Sequence, residues 1–184
     1  MGQVSLQYAE EFGCDIMELT AHAGARPSHA VWQGQLVSRS GKRGYLSLDD
    51  IGYGTGAGFM GWNCRHSWNP FFEGISSRNY TPEKLRAMNE KRVEYQGEKY
   101  TDYKISQLQR KMEREIRATK RELAALDEAK KAVKEEALES SLQSDFSKAS
   151  VKLKGQERAL KDFLRETGSP PDSSRVQMLG FGRS

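Results

Sequence analysis

Cys64 and His66 flank Arg65 in a Cys-x-His step, and His29 stands upstream within Arg26-Pro27-Ser28-His29-Ala30-Val31-Trp32. Thiolate and imidazole are the ligands that a borderline-soft cation such as zinc prefers. In an extended segment residues two apart face the same side, so Cys64 and His66 can reach one ion, with His29 as third ligand and His22 or Cys14 as a fourth. The same residues allow two other readings. A catalytic thiol would pair Cys64 with His29 or His66 as base, but His66 is too near in sequence to be oriented easily and no Asn or Asp partner stands out. In the plainest reading Cys64 is a small buried hydrophobe and the histidines hydrogen-bond inside an aromatic core. The absence of the Cys-x-x-Cys pairs that usually mark zinc favours that reading. The sequence therefore requires no cofactor, and zinc is the one its ligand types would fit.

All three tryptophans crowd into the same two blocks, as Trp32, Trp62 and Trp68, with Phe71 and Phe72 following. Interleaved with Arg65 and Arg78 they could stack nucleic acid bases. Large aromatics at this density more often form the core of a small domain with few aliphatics, and that is the expectation. Gly56, Gly58 and Gly61 satisfy the spacing G-x-G-x-x-G, yet no buried strand precedes them and Trp62-Asn63-Cys64 is not a helix start, which argues against a dinucleotide site.

The elements that must hold these residues change character near residue 100. Twelve of the seventeen glycines precede Gly97, whereas residues 101–167 are rich in Lys, Arg, Glu, Ala and Leu, with one glycine and no proline. Residues 1–13 are polar and poorly specified. A strand is expected over Asp15 to Ala21, a second over Ala30 to Ser38, and a wrapped loop from Gly52 to Gly61. Thr81-Pro82 starts a short helix over Lys84 to Val93, and Tyr95 to Tyr100 is a brief extended or turn segment. A long helix then opens at Thr101. Ile105, Leu108, Met112, Ile116, Thr119, Leu123 and Leu126 recur at steps of three and four, and Arg110, Arg114, Arg117 and Arg121 recur on the opposite side. The pattern loosens around Ser140 to Ser150 and resumes at Leu153, Leu160, Phe163 and Leu164, giving an antiparallel helical pair that Gly168-Ser169-Pro170-Pro171 ends. The expected fold class is α+β, with a poorly specified segment at 1–13, a Gly/Trp-rich head domain at 14–100, a helical arm at 101–168 and a tail at 169–184.

The net charge of +4, from 29 basic and 25 acidic side chains, tolerates a polyanion without demanding one. The arginine face could meet DNA phosphates or an acidic partner, though with Glu113, Glu115 and Glu122 beside it a solvated helix face is the simpler reading. Cys14 and Cys64 make no disulfide framework, and no run approaches the ~18 apolar residues of a spanning helix, so the expectation is synthesis in a reducing cytoplasm with no membrane partner.

The succession Ala21-His22-Ala23-Gly24-Ala25-Arg26-Pro27-Ser28-His29-Ala30-Val31-Trp32-Gln33-Gly34-Gln35, then Gly52-Tyr53-Gly54-Thr55-Gly56, Gly61-Trp62-Asn63-Cys64-Arg65-His66-Ser67 and Pro70-Phe71, resembles the C-terminal region of the phage minor capsid protein 2 family. The likeness continues through Arg78-Asn79-Tyr80-Thr81, Tyr95-Gln96-Gly97-Glu98-Lys99-Tyr100-Thr101 and Gln107-Leu108-Gln109-Arg110 to Gly180-Phe181-Gly182-Arg183-Ser184. That family is similar to the Mu F-type head morphogenesis proteins, which sit with the portal at the special vertex of the procapsid. The resemblance implies a structural head protein of a tailed phage or prophage, located in the virion, contacting portal and capsid subunits, with packaged DNA as a further candidate partner and with no turnover. Family members are longer, so it also implies that this chain corresponds to their C-terminal portion. The alternative is a metal-assisted nuclease or toxin-like enzyme of a mobile element using His29, Cys64 and His66, with Asp49, Asp50 and Glu73 as candidate carboxylates.

Overall fold

The computed structural model describes residues 2–178, and side chains from residue 7 onward. The chain divides into two units, Met1–Arg92 with Thr101–Tyr103, and Val93–Tyr100 with Lys104–Ser184. The α+β class holds: short antiparallel strands in each unit and two long helices in the second.

In the first unit β1 (Ile16–Leu19) lies between β2 (Leu36–Ser38) and β3 (Trp68–Pro70), antiparallel to both. Met17 pairs with Val37 on one side and Pro70 on the other, and Leu19 pairs with Trp68. All four β1 side chains are buried, so the strand lacks the polar alternation of a half-exposed sheet. Met17 and Leu19 enter the main core with Trp32, Val37, Ile51, Phe59 and Trp68. Successive side chains point to opposite faces, so Ile16 and Glu18 take the other side.

Several expectations require correction. Most of the segment expected to be poorly specified is α1 (Gly2–Glu11), a helix that carries Ala9 into the core and is followed by a turn at Gly13, which has φ +61°. The strand expected from Ala30 begins only at Leu36. Pro27 instead opens a single helical turn, α2 (Pro27–Ala30), which continues as turns to Gly34 because proline presets the helical φ. The short helix α3 (Pro82–Asn89) starts where expected, with the Thr81 hydroxyl accepting from the Lys84 N–H at 3.3 Å, but stops at Asn89. Val93 belongs to a hairpin, and β3 is a strand that the sequence did not announce.

The loop from Gly52 to Gly61 wraps back on itself. An added Cβ at Gly58 would lie 1.9 Å from the Gly52 carbonyl oxygen, and one at Gly61 would lie 2.4 Å from that of Thr55. The tight fold turns Phe59 fully inward, with its N–H bonded to the Ile51 carbonyl at 2.9 Å.

In the second unit β4 (Val93–Tyr95) and β5 (Glu98–Tyr100) form a hairpin closed by Gln96 and Gly97, both at positive φ as a primed turn demands. The hairpin packs on α5 (Glu136–Thr167) through Tyr95 against Phe163, edge to face at 4.9 Å. The other long helix, α4 (Asp102–Ala132), runs antiparallel to α5: Lys120 pairs with Glu157, Glu122 with Lys152 and Lys130 with Gln143, stepping down α5 as they step up α4. Ile116 and Leu123 meet Ala149 and Leu153 between them. The break falls at residues 133–135, earlier than the loosened stretch at Ser140 to Ser150, which is helical because Leu142, Phe146 and Ala149 keep an inward stripe. Gly168 ends α5 in the left-handed region, and Val176 beyond it returns to the helix interface.

Candidate functional site

His29 sits on α2, whose proline-led turn aims its ring inward, and Cys64 and His66 follow the glycine loop. One ligand atom from each of the three lies within 4.8 Å of the others. His29 and His66 are 2% and 6% exposed, while Cys64 is half-buried against the core. The closest contact joins the two imidazoles, Nδ1 to Nδ1 at 3.4 Å, and Cys64 Sγ lies 3.7 Å from His66 Nδ1.

The partners of the remaining ring nitrogens fix both tautomers. His29 Nε2 is 3.0 Å from the Ala57 carbonyl oxygen, which can only accept, so Nε2 carries the proton. His66 Nε2 is 3.2 Å from Gln33 Oε1, and that oxygen also accepts the His22 backbone N–H at 3.0 Å, which settles the amide's orientation. His66 Nε2 is therefore also a donor.

Burial pushes the His66 pKa down to about 3, and the positive fields of His22, His29, Arg65 and Arg26 add to the shift. Burial likewise lowers that of His29, against the raising effect of its Ala57 hydrogen bond. Both rings are neutral at physiological pH. Trp32 walls the pair, 4.5 Å from His29 and 4.8 Å from His66 between ring centres, and Phe59 meets Trp32 edge-on at 5.9 Å.

The two suggested fourth ligands stand apart from this group. Cys14 is turned to the Ile16 and Phe71 carbonyls at 3.2 and 3.5 Å and contributes no atom to the convergence. His22 stacks on His66 at 4.5 Å with Nδ1 at 2.9 Å from the Ala23 carbonyl, and it contributes no atom to the convergence. Of the aromatic cluster, Trp32 and Trp68 are core, but Trp62 is 78% exposed, its ring lying over Gly56, and Phe72 is 38% exposed. The all-core expectation fails for these two because the chain turns outward at Asn63, which has φ +55°, and again after β3.

Arg78 is no stacking partner. It binds Glu18, 1% exposed, at 3.0 Å and the Gly34 carbonyl, while Asn79 gives Glu18 its backbone N–H at 3.0 Å and its side-chain amide. Neither Glu18 nor Gln33 stood out in the sequence. A lone carboxylate within Ile16-Met17-Glu18-Leu19 was the available signal, since a buried charge needs partners.

The candidate carboxylates lie elsewhere: Asp50 takes the Ser47 N–H and hydroxyl at 2.8 Å, and Glu73 holds Lys42 and the Tyr45 hydroxyl. In the second unit Arg110, Arg114 and Arg121 are exposed and Arg117 half-buried, opposite the Ile116 and Leu123 face. Among the described residues none of these four forms an ion pair. No helix among the described residues is long and apolar enough to cross a membrane. The segment Gly180 to Ser184, where the family likeness ends, lies outside the described residues.

A family model described as phage minor capsid protein 2 matches residues 1–165. A structural protein of Lactococcus phage LL-H is 29% identical over 124 residues, covering 64% of this chain and 30% of the relative. A structural protein of Lactococcus phage mv4 is 38% identical over 82 residues, covering 44% of this chain and 58% of the relative. The chain thus spans less than two thirds of either relative's length. No solved structure matches it. With all of the first unit and most of the second inside the matched span, the chain belongs to the phage minor capsid protein 2 family.

Proposed function

We propose that the chain is a structural component of a tailed-phage head, held in the virion by contacts with portal and capsid subunits, and that it turns over no substrate. Its family supports this, as do two relatives described as structural proteins. The observation that carries the reading is where the reactive side chains lie. His29 and His66 are buried against Trp32, and the group they form with Cys64 includes no carboxylate. A metal-assisted nuclease needs an acid or base beside the metal, whereas Asp49, Asp50 and Glu73 contribute no atom to this group, and Asp50 and Glu73 are engaged by their own neighbours.

The helical unit supplies the contact surface in this reading. Arg110, Arg114, Arg117 and Arg121 present cationic side chains along one side of α4, suited to an acidic subunit face or to packaged DNA. Quantitative mass spectrometry of gradient-purified particles from phage-producing cells tests the proposal. The chain should co-sediment with portal and capsid subunits, and reversal of the four arginines to glutamate should deplete it. Its absence from particles, together with metal-dependent DNA cleavage lost in His66→Ala, would overturn the structural reading in favour of the enzyme.

A further inference from the structure

We propose that His29 Nδ1, His66 Nδ1 and Cys64 Sγ form a three-ligand site for a borderline-soft divalent cation, zinc by preference, which staples α2 to the segment after the glycine loop. The inference concerns the internal architecture of the first unit and does not depend on where the chain sits in a particle.

The argument starts from hydrogen-bond directions. Ala57 O and Gln33 Oε1 accept from the Nε2 atoms of His29 and His66, which leaves both Nδ1 atoms as bare lone pairs. Those lone pairs face each other at 3.4 Å. Two acceptors at that distance make no hydrogen bond. The Cys64 thiol can give its single proton to His66 Nδ1 at 3.7 Å, but this still leaves His29 Nδ1 facing a nitrogen with nothing to donate. A cation between the three atoms resolves the conflict for all of them at once, and the thiol proton goes to solvent as the thiolate binds.

The distances fit such an ion. A tetrahedral zinc with Zn–N of ~2.0 Å and Zn–S of ~2.3 Å has ligand–ligand edges of roughly 3.3–3.6 Å. Two of the three edges match, with N···N and S···N separations of 3.4 and 3.7 Å, and the third, within 4.8 Å, would shorten as the Cys64 thiolate and His29 close on the ion. The outer partners fit as well, since metal-binding imidazoles usually donate their second N–H to a carbonyl or carboxylate that fixes ring and tautomer. Ala57 O does this for His29, and the amide oxygen of Gln33, itself held by the His22 N–H, does it for His66. One thiolate and two imidazoles suit zinc or cobalt better than the hard cations magnesium and calcium, which prefer oxygen. The fourth position falls to water or to a ligand from outside the chain.

Arg26 places a positive charge nearby, with its guanidinium hydrogen-bonded to the same Ala57 carbonyl at 3.0 Å. The thiolate offsets it, so affinity should be below that of an all-thiolate site.

The test uses the full chain, stripped with a chelator under reductant and titrated with Co²⁺ and then Zn²⁺. One Co²⁺ per chain should give the intense visible bands of tetrahedral cobalt and a near-ultraviolet thiolate-to-cobalt charge-transfer band, both abolished when Zn²⁺ displaces it. Cys64→Ser is nearly isosteric and half-buried, so it should keep the wild-type circular dichroism while losing the charge-transfer band and weakening zinc binding by at least ~100-fold. Gln33→Ala leaves every ligand in place and should weaken binding by ~10–100-fold, the range for outer-shell partners. Absence of the charge-transfer band in the wild type would overturn the site, as would its persistence in Cys64→Ser or equal zinc affinity in the two proteins.

Discussion

In the first unit glycines stand where the backbone folds most tightly, whereas in the second the one glycine inside a long helix, Gly155, has nothing within 4 Å of where a Cβ would be. The contrast extends to the rest of each unit. The first has strands of three and four residues, a glycine loop and buried polar groups bound across long sequence separations. The second is built on two helices of 31 and 32 residues, whose inward stripes meet along their length. The helical unit gains specificity from repetition, and small errors can be absorbed along the interface. The first unit depends on single contacts that have no substitute.

Gly58→Ala should break this comparison most sharply if it is wrong. The added methyl would sit 1.9 Å from the Gly52 carbonyl, and the obstacle is backbone, so the loop carrying Phe59 must open. A loss of at least ~3 kcal/mol is expected, at the severe end of overpacking. Hydrogen exchange read by mass spectrometry should localise it to residues 14–80 while the helical unit keeps its protection. Uniform loss of protection across both units, or none, would remove the distinction.

The two buried carboxylates sharpen it next. Glu18 accepts from Arg78, from the Asn79 N–H and from the Asn79 side chain, so Glu18→Met leaves a backbone donor and a guanidinium without their acceptor. The cost should be ~2–4 kcal/mol, as for a broken buried pair. Glu113, 2% exposed, is met by the Gln109 amide at 2.9 Å and by Arg175 at 3.8 Å, and both partners have other contacts, Gln109 with the Pro170 carbonyl and Arg175 with Asp172. Glu113→Met should therefore lie within ~1 kcal/mol of wild type, because the half-exposed Arg175 and the Gln109 amide keep other acceptors and no buried charge is left unpaired. Urea titrations of the two variants compare them directly, and equal destabilisation would contradict the account.

The same difference decides what was legible in the sequence. Periodicity announced α4 and α5, since each turn repeats the instruction, and Ile105, Ile116, Thr119 and Leu123 are buried as expected. Gln109 and Glu113 are buried where Leu108 and Met112 were expected to be, because Pro170 and Arg175 return from beyond α5 to meet them. No local pattern encodes that return. In the first unit β3 is three residues long and ends in a proline, too short for alternation to register, and α1 is fixed by Ala9 entering a core assembled far along the chain. The residue types of the candidate site were readable, as was the upstream position of His29. Its hydrogen-bond logic was not, because Ala57 acts through a carbonyl that any residue could supply and Gln33 acts through a register set by tertiary packing.

A smaller effect of opposite sign tests the helical side of the comparison. Gly155→Ala removes the entropic penalty of glycine in an exposed helix and meets no atom, so the helical unit should gain ~0.5–1 kcal/mol. Thermal unfolding followed by circular dichroism reads the shift. A loss instead would mean that Gly155 lies against something in solution, and the face carrying it would then have to be counted as packed.

The smallest expected effect depends on pH. Asp15 sits at the start of β1, accepting the Ser38 hydroxyl at 2.6 Å and the Ser40 N–H at 2.7 Å, and these bonds, Ser38 first, hold its pKa below the usual aspartate value. A depressed acid favours the folded state once ionised. Its contribution is complete above the unfolded pKa of ~3.9 and disappears as pH falls through the lower folded value. Asp15→Asn should therefore cost less than ~1 kcal/mol at pH 7, and the gap from wild type should narrow as pH falls below the unfolded value of ~3.9. Asp127 is likewise held low, by Lys131, but that pair lies on the exposed surface of α4, where solvent competes with it. Asp127→Asn should move stability less than Asp15→Asn at neutral pH. If the order is reversed, the single-contact dependence assigned to the first unit does not extend to its edge, and the comparison must be confined to the core around Phe59 and Glu18.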